Sequence, residues 1–238
     1  MEPGAGRPSF LEGQLARRVT LGMLHTTGLT SGYFHGEFIA GARVALSHLA
    51  STWSSQVPSE IGLVETSLQQ FFHNARKDLE AANVEVTWDV EQITGAELGA
   101  VRIVYGVRRS LVGAGLGCSG LNSGAPYKSE YAGHTLVRRD EPRPATAFEC
   151  FASHCNGATL CVEALLTAKQ TVTIRRGGKV VAGHFEDGAW HRLQLEAELF
   201  GIPPPSWWPS GPWLLRFDDG RGWLVSDLNQ ALDGNCLV

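Results

Sequence analysis

Strict alternation of apolar and polar residues after Asn83 is the feature that most constrains the fold of this chain. In VEVTWDVEQI, residues 84–93, the apolar side chains fall at every second position: Val84, Val86, Trp88 and Val90. The run AVRIVYGVRR, residues 100–109, repeats the pattern. Side chains of a β-strand point alternately to opposite faces of a sheet. The pattern therefore predicts two half-buried strands of an antiparallel sheet.

The second half of the chain predicts the rest of this sheet. Residues 158–174 are typical of one long strand, with a bulge near Lys169, and Gly177-Gly178 is typical of a two-residue hairpin turn. An acidic bridge follows, and then residues 193–199 alternate again. Residues 213–230 predict a final hairpin that turns at Asp219-Gly220.

Two amphipathic helices precede the sheet. Apolar residues recur at spacings of three and four from Phe38 to Trp53, and again from Ile61 to about Ala82 with Ser59 as its N-cap. Helices followed by an antiparallel meander predict an α+β fold, with the N-terminal helices packed on a curved sheet as in the cone-shaped cystatin-like folds.

The chain divides into an arm and one domain on this interpretation. Residues 1–32 are rich in Gly and Pro and predict a flexible arm that carries a short amphipathic helix over residues 10–24. Residues 33–238 form a single α+β domain, interrupted by a long Gly/Ser-rich insertion at residues 111–143.

Composition narrows the class of protein. The 238 residues carry a net charge of −4, which argues against a mainly electrostatic nucleic-acid binder. No apolar run reaches the ~20 residues of a transmembrane helix. The N-terminus lacks the continuous apolar core of a secretory signal. Five irregularly spaced cysteines do not predict a disulfide framework, so a reducing compartment is expected.

A family resemblance rests on the segment from Leu160 to Asp227. A long strand ends in TVTIRRGGKVVAG, an acidic bridge HFEDGAWHRL follows, QLEAEL comes next, and Trp223 opens the closing strand. This order resembles the C-terminal domain of the membrane-anchor subunit of the mitochondrial import motor. A protein of the mitochondrial large ribosomal subunit and an adaptor of an inner-membrane AAA protease share that domain.

The resemblance implies a non-enzymatic adaptor or assembly subunit. It would dock on a translocase, ribosome or membrane protease in the mitochondrial matrix or at the matrix face of the inner membrane, with peripheral membrane contact and no transmembrane segment. We expect no cofactor, no metal and no catalytic residue on this interpretation.

Six arginines in three doublets predict a basic rim. All lie at predicted strand ends or loop edges: Arg108, Arg109, Arg138, Arg139, Arg175 and Arg176. In a net-acidic chain such doublets indicate separated charge, which would suit RNA or an acidic partner. The alternative is that they are solvated charges that protect sheet edges.

The segment PSWWPSGPW predicts a rigid loop with exposed indoles. Trp207 and Trp208 are expected to bind a protein partner, because Trp is enriched in interface hot spots. Trp213 is expected to fold back and plug the open end of the sheet.

Two alternatives involve chemistry rather than docking. The cluster CFASHCNGATLC, residues 150–161, holds three cysteines and one histidine, but its spacing is poor for zinc. A small cavity enzyme of the cyclase, isomerase or dehydratase type would need a sheltered His held by a carboxylate. His184, Glu186 and His191 are the candidates, although residues beside a turn are expected to be solvated.

We interpret the sheet as a docking surface. Its charged face is predicted to contain Glu163, Lys169, Arg192, Glu196 and Glu198, and its aliphatic face to pack on the helices.

Overall fold

A computed structural model describes most of the chain from residue 17 onward. The described residues are 17–18, 20–22, 24, 29–54, 64–105, 127–130, 135–138, 158–202, 206–207, 214–217, 222–229 and 231. The helices are α1 (Ser31–Tyr33), α2 (Ile39–Ser54) and α3 (Thr66–Ala81), and a π-helical turn (Phe34–Phe38) joins the first two. The strands are β1 (Val84–Tyr105), β2 (Tyr127–Glu130), β3 (Thr135–Arg138), β4 (Ala158–Arg176), β5 (Lys179–Ile202), β6 (Leu214–Phe217) and β7 (Leu224–Leu228).

The order of helices and strands confirms the predicted α+β class. Residues form two compact units, each built from three separate segments. The first unit comprises residues 1–34, 99–163 and 196–223, and the second comprises residues 35–98, 164–195 and 224–238. Strands β1, β4 and β5 each contribute one part to each unit.

The second unit contains the two long helices and an antiparallel sheet in the order β1-β4-β5-β7. Thr87 bonds to Thr173 and Thr94 to Thr167, so the residue numbers run in opposite directions along β1 and β4. Apolar side chains from helix and sheet form its core: Ala42, Leu46, Leu49, Leu68, Leu166, Ala168, Leu193 and Leu195.

Aromatic and cationic contacts join α2 to α3. The Trp53 and Phe72 rings lie 5.6 Å apart, and Arg76 stacks over the Trp53 ring at 5.8 Å. The Arg76 guanidinium also donates to the carbonyls of Thr52 and Trp53, at 3.2 and 2.6 Å. These two carbonyls belong to the last turn of α2, where backbone carbonyls have no hydrogen-bond donor within the helix. Arg76 therefore caps one helix from the other.

The first unit contains the four-residue strands β2, β3 and β6. β2 and β3 form an antiparallel pair, β3 runs parallel to β1 beside Ile103, and β6 pairs antiparallel with the end of β5. β2 and β3 lie within the predicted insertion at residues 111–143, so part of that segment is sheet rather than loop.

Several predicted boundaries were wrong because local signals miss long-range pairing. The two alternating runs after Asn83 form one continuous strand, β1, and the acidic bridge lies inside β5. Residues 17–18, 20–22 and 24 are helical, within the short helix predicted over residues 10–24. The first long helix, predicted from Phe38, is preceded by α1 and the π-helical turn from Ser31 onward. The second, α3, begins at Thr66, and residues 59–63 lie outside the described part of the chain. Val64, placed in the helical stripe, instead forms a parallel bridge with Val225.

The prediction that the last two strands pair with each other in a closing hairpin was also wrong. β6 and β7 both form, and Trp223 directly precedes β7, but each strand pairs with β5. The Gly-Gly turn is confirmed: Gly177 and Gly178 have φ of 56° and 77°, and positive φ at both central residues is typical of a type I′ turn.

Candidate functional site

A hydrogen-bonded network surrounds His191 in the second unit. The His191 Nε2 lies 2.9 Å from Gln170 Oε1, and its Nδ1 lies 3.2 Å from Asn229 Nδ2. Gln170 Oε1 also accepts from Trp88 Nε1 at 2.8 Å, and the Trp88 ring packs 5.5 Å from the imidazole. Ser54, at the end of α2, bonds to the Trp88 backbone. The network thus joins α2, β1, β4 and β5 to the residue that follows β7.

The partners of His191 fix its tautomer. Because the Gln170 Oε1 only accepts, the Nε2 donates to it, and the Nδ1 accepts from the Asn229 amide. The Asn229 Oδ1 accepts from the Arg192 N–H at 2.8 Å, which holds that amide in this orientation. Burial lowers the pKa of His191 below its ordinary value, and Glu186 acts in the opposite direction. A neutral imidazole with both nitrogens bonded to amides is typical of a structural histidine.

His184 and Glu186, the other two candidates for acid–base chemistry, are exposed to solvent on β5. The Glu186 carboxylate accepts from Gln170 Nε2 at 3.3 Å rather than holding a histidine. As predicted for residues of this bridge, they are solvated, and the sheltered His–carboxylate pair that an enzyme of the alternative type requires is not among the described contacts.

A buried ion pair lies in the first unit, where the sequence predicted an exposed charge. The Arg102 guanidinium lies 3.0 Å from Glu163 Oε1, and both side chains are buried. Glu163 Oε2 accepts from the Ala100 N–H at 3.4 Å. Gly99 makes room for this approach: a Cβ there would lie 2.8 Å from the Glu163 Cβ. The pair connects β1 to β4.

The predicted charged face of the sheet was therefore wrong for two of its members. Glu163 and Glu196 are both buried, Glu196 to 2% exposure. The sequence carries only a weak signal for this, because the Arg102 that neutralises Glu163 lies on another strand, 61 residues away. Lys169 remains partly exposed and pairs with Asp187 at 3.1 Å.

The arginine doublets are only partly described. Arg175 and Arg176 end β4 in the second unit, and Arg175 lies 3.7 Å from Glu85. Arg138 ends β3 in the first unit, whereas Arg108, Arg109 and Arg139 lie outside the described residues. The single basic rim thus stays a prediction, and Arg175 already has a carboxylate partner.

The tryptophan loop places one indole in solvent. Trp207 lies in a turn and is 80% exposed. Trp208 and Trp213 lie outside the described residues. Trp223, in contrast, belongs to a half-buried aromatic cluster of the first unit, where its Nε1 donates to the Tyr33 hydroxyl at 2.9 Å.

The cysteine cluster is described only at its end. Cys161 is buried on β4, and Cys150, His154 and Cys155 lie outside the described residues. Within the described part of the chain, no three His, Cys, Asp or Glu side chains are grouped to hold a metal. In the same part, no helix has the length and apolar character needed to cross a bilayer.

The sequence analysis did not predict one stretch of exposed apolar residues. Residues 179–187, at the start of β5, are exposed on both faces and include Val180, Val181 and Phe185. The sequence signal for this exposure was the segment KVVAGHF, which lacks the alternation of a half-buried strand. A separate open groove of about 560 Å³ lies between α2 and β1, and its lining includes Arg43, Val44, His48 and Glu91.

Comparison with known proteins gives little beyond these features. No family model matches the chain, and no curated protein matches it. Among solved structures, the chain is similar to the intermembrane space region of chloroplast protein ARC6, with 8% identity and a TM-score of 0.32. The match covers 80% of this chain and 94% of that one. A likeness this distant carries no inference about function.

Proposed function

We propose that this protein is a non-enzymatic adaptor or assembly subunit that binds a protein partner through Trp207. The observation that carries the proposal is the exposure of this indole, 80%, in a Pro-rich loop. A Trp side chain removes roughly 150–250 Å² of its surface from water when it is buried. Trp is also among the residues most enriched at interface hot spots.

The interior supports an adaptor rather than an enzyme. His191 is bonded on both nitrogens to amides, Glu163 is paired with Arg102, and Trp88 fills the space beside the imidazole. These polar groups hold strands together, and a general base needs instead a group within reach of a substrate proton.

The partner and the location follow from the family resemblance. We expect a mitochondrial translocase, ribosome or inner-membrane protease as the assembly, reached from the matrix side. Contact with RNA through the arginine doublets, and peripheral contact with the membrane, belong to the same proposal.

Sedimentation of the tagged protein from gently lysed mitochondria tests the proposal. We expect the wild-type chain to migrate with a large particle or membrane complex, and mass spectrometry of those fractions to name the partner. Treatment of a parallel lysate with RNase tests whether RNA holds the protein there. Migration of the wild type near its own 25.7 kDa, or at twice that mass, would overturn the adaptor function.

Substitution of the indole tests its role. Trp207→Ala should reduce co-sedimentation at least tenfold, as a hot-spot loss of about 2 kcal/mol implies. Trp190→Ala is the matched control, because Trp190 is 67% exposed but lies in the second unit. Equal co-sedimentation of the Trp207→Ala and Trp190→Ala variants would show that Trp207 is not the anchor.

A further inference from the structure

The first half of β5 presents an open sheet edge in the second unit. β6 pairs with β5 at Leu199–Ile202. Ser226 of β7 bonds to Gln194, and Asn229, the residue after β7, bonds to Arg192. Residues 179–187 therefore pair with β4 on one side, and no other strand of the described residues covers their second side. Unpaired N–H and C=O groups at such an edge can accept another strand.

This edge lacks most of the features that prevent an exposed sheet edge from pairing with another chain. Soluble proteins place Lys, Pro or bulges along exposed edges to prevent pairing. Here the charged residues, Lys179, Glu186 and Asp187, lie only at the two ends of the stretch, and no proline occurs. Between them, Val181 is 59% exposed and Phe185 56% exposed. The left-handed Gly188, with φ of 105°, interrupts regular strand geometry only after the open stretch has ended.

The edge sequence is complementary to itself in antiparallel orientation. If two copies meet about Gly183, Lys179 of one lies opposite Asp187 of the other, and Val181 lies opposite Phe185. Opposite charges and aromatic–β-branched pairs are both favourable across strands. Gly183 at the centre has no side chain, and nothing lies within 4 Å of where its Cβ would be. A two-fold axis through Gly183 forms the Lys179–Asp187 and Val181–Phe185 pairs twice, on one face of the strand pair. On the other face Val180 lies opposite Glu186 and Ala182 opposite His184, so the complementarity belongs to the first face.

We propose that two copies of this chain associate through residues 179–187 of β5 as an antiparallel strand pair. The proposal is independent of the Trp207 anchor, which lies in the other unit. A standard protein–protein interface buries about 1,600 Å². A pair of strands of this length buries less, so we expect a dissociation constant on the order of micromolar.

Sedimentation equilibrium of the full chain tests the association. The wild type should shift from monomer to dimer as its concentration rises through the micromolar range. Val181→Lys puts charge on the edge and should weaken the dimer at least tenfold, whereas Val44→Lys, at a 67% exposed valine of α2, should leave it unchanged. A wild type that stays monomeric, or a dimer that resists Val181→Lys, would overturn the proposal.

Charge exchange tests the pairing of Lys179 with Asp187. Lys179→Asp alone should weaken the dimer, because it sets two carboxylates opposite each other, and Lys179→Asp with Asp187→Lys should restore it. Asp187→Lys also opposes Lys169, so thermal melts must show that the double variant is folded. Folded double variants that remain monomeric would contradict this register.

A symmetric disulfide tests the position of the two-fold axis. Directly opposite residues of an antiparallel pair have Cα atoms about 4.5–5.5 Å apart, within the range that a disulfide spans. Gly183→Cys should therefore give an oxidised covalent dimer beyond the wild-type background. Gly36→Cys, equally free of close neighbours, should not. Equal cross-linking of the two variants would place the axis elsewhere.

Independent variants separate this proposal from the adaptor function. Val181→Lys should weaken the dimer at least tenfold and leave capture of the large assembly intact. Trp207→Ala should reduce that capture at least tenfold and leave the dimer intact. Loss of capture in Val181→Lys would show that the edge binds the partner rather than a second copy, and would overturn the dimer.

Discussion

At the scale of single residues, the burial of His191 makes the free energy of unfolding depend on pH. Burial favours its neutral form, so its pKa lies below the ordinary 6.5 that the unfolded chain retains. Between these two pKa values, the unfolded state binds more protons than the folded state. The free energy of unfolding therefore rises with pH through this window, and this contribution is lost as the pH falls from 6.5 through the folded-state pKa.

His191→Asn should flatten this dependence. We expect the free energy of unfolding, measured by urea denaturation at a series of pH values, to fall less steeply below pH 6.5 in the variant than in the wild type. The slope is the readout, because the loss of two hydrogen bonds lowers stability at every pH. Equal slopes in the two proteins, or a His191 resonance that titrates above 6.5, would contradict this account.

Gly99 and Gly41 should respond oppositely to the same substitution. In Gly99→Ala the new Cβ would meet the Glu163 Cβ at 2.8 Å and its carbonyl oxygen at 3.2 Å, so backbone must shift. We expect a loss of about 1–3 kcal/mol in the free energy of unfolding. Gly41 lies exposed within α2 with nothing within 4 Å, so Gly41→Ala should add about 0.5–1 kcal/mol. Denaturation curves that move in the same direction would refute the packing argument.

At the scale of elements, the Arg102–Glu163 pair holds β1 against β4. Arg102→Met removes the cation 3.0 Å from a buried carboxylate and should cost about 3–5 kcal/mol in the free energy of unfolding. Removing both charges, in Arg102→Met with Glu163→Leu, should recover most of that loss, because the Glu163 carboxylate is then no longer left uncompensated.

A double-mutant cycle in chemical denaturation measures the coupling between these two positions. The Lys169→Met and Asp187→Leu cycle is the matched control, since that pair is solvent-exposed on β4 and β5 and should couple by no more than about 1 kcal/mol. Comparable coupling energies in the two cycles would contradict the importance of burial.

The sequence predicted the type of each long element better than its ends. Alternation in residues 84–93 and 100–109 was sufficient to predict two strands, but residues 94–99, TGAELG, were assigned to neither. In the structure, Thr94 donates to the Thr167 carbonyl across the interval, and the strand continues. Pairing with β4 therefore overrides local preference, and no property of residues 94–99 alone reveals it.

The candidate site was predicted unevenly for the same reason. Trp207 was predicted to be exposed from its own neighbours, Pro and Ser, and it is. Glu163 was predicted to be exposed because it is charged, and it is buried because Arg102 on a distant strand neutralises it. Partners far along the chain decide such cases, and one sequence does not show them.

At the scale of the whole molecule, we propose two separable tasks for two features of the surface. Trp207 in the first unit and the β5 edge in the second are each expected to bind one protein surface, a foreign partner and a second copy. Variants at one should leave the other intact, since the two surfaces belong to different units and additivity is the rule for independent sites.

The division into units also determines how the gene can be cut. The chain passes from one unit to the other five times, so neither unit is a continuous stretch of sequence. A single cut anywhere from residue 35 to 222 leaves both units without a piece. Nested deletions that end within this range will therefore yield fragments in which each unit lacks part of its core. Permuted or relinked genes can instead encode the three segments of one unit together.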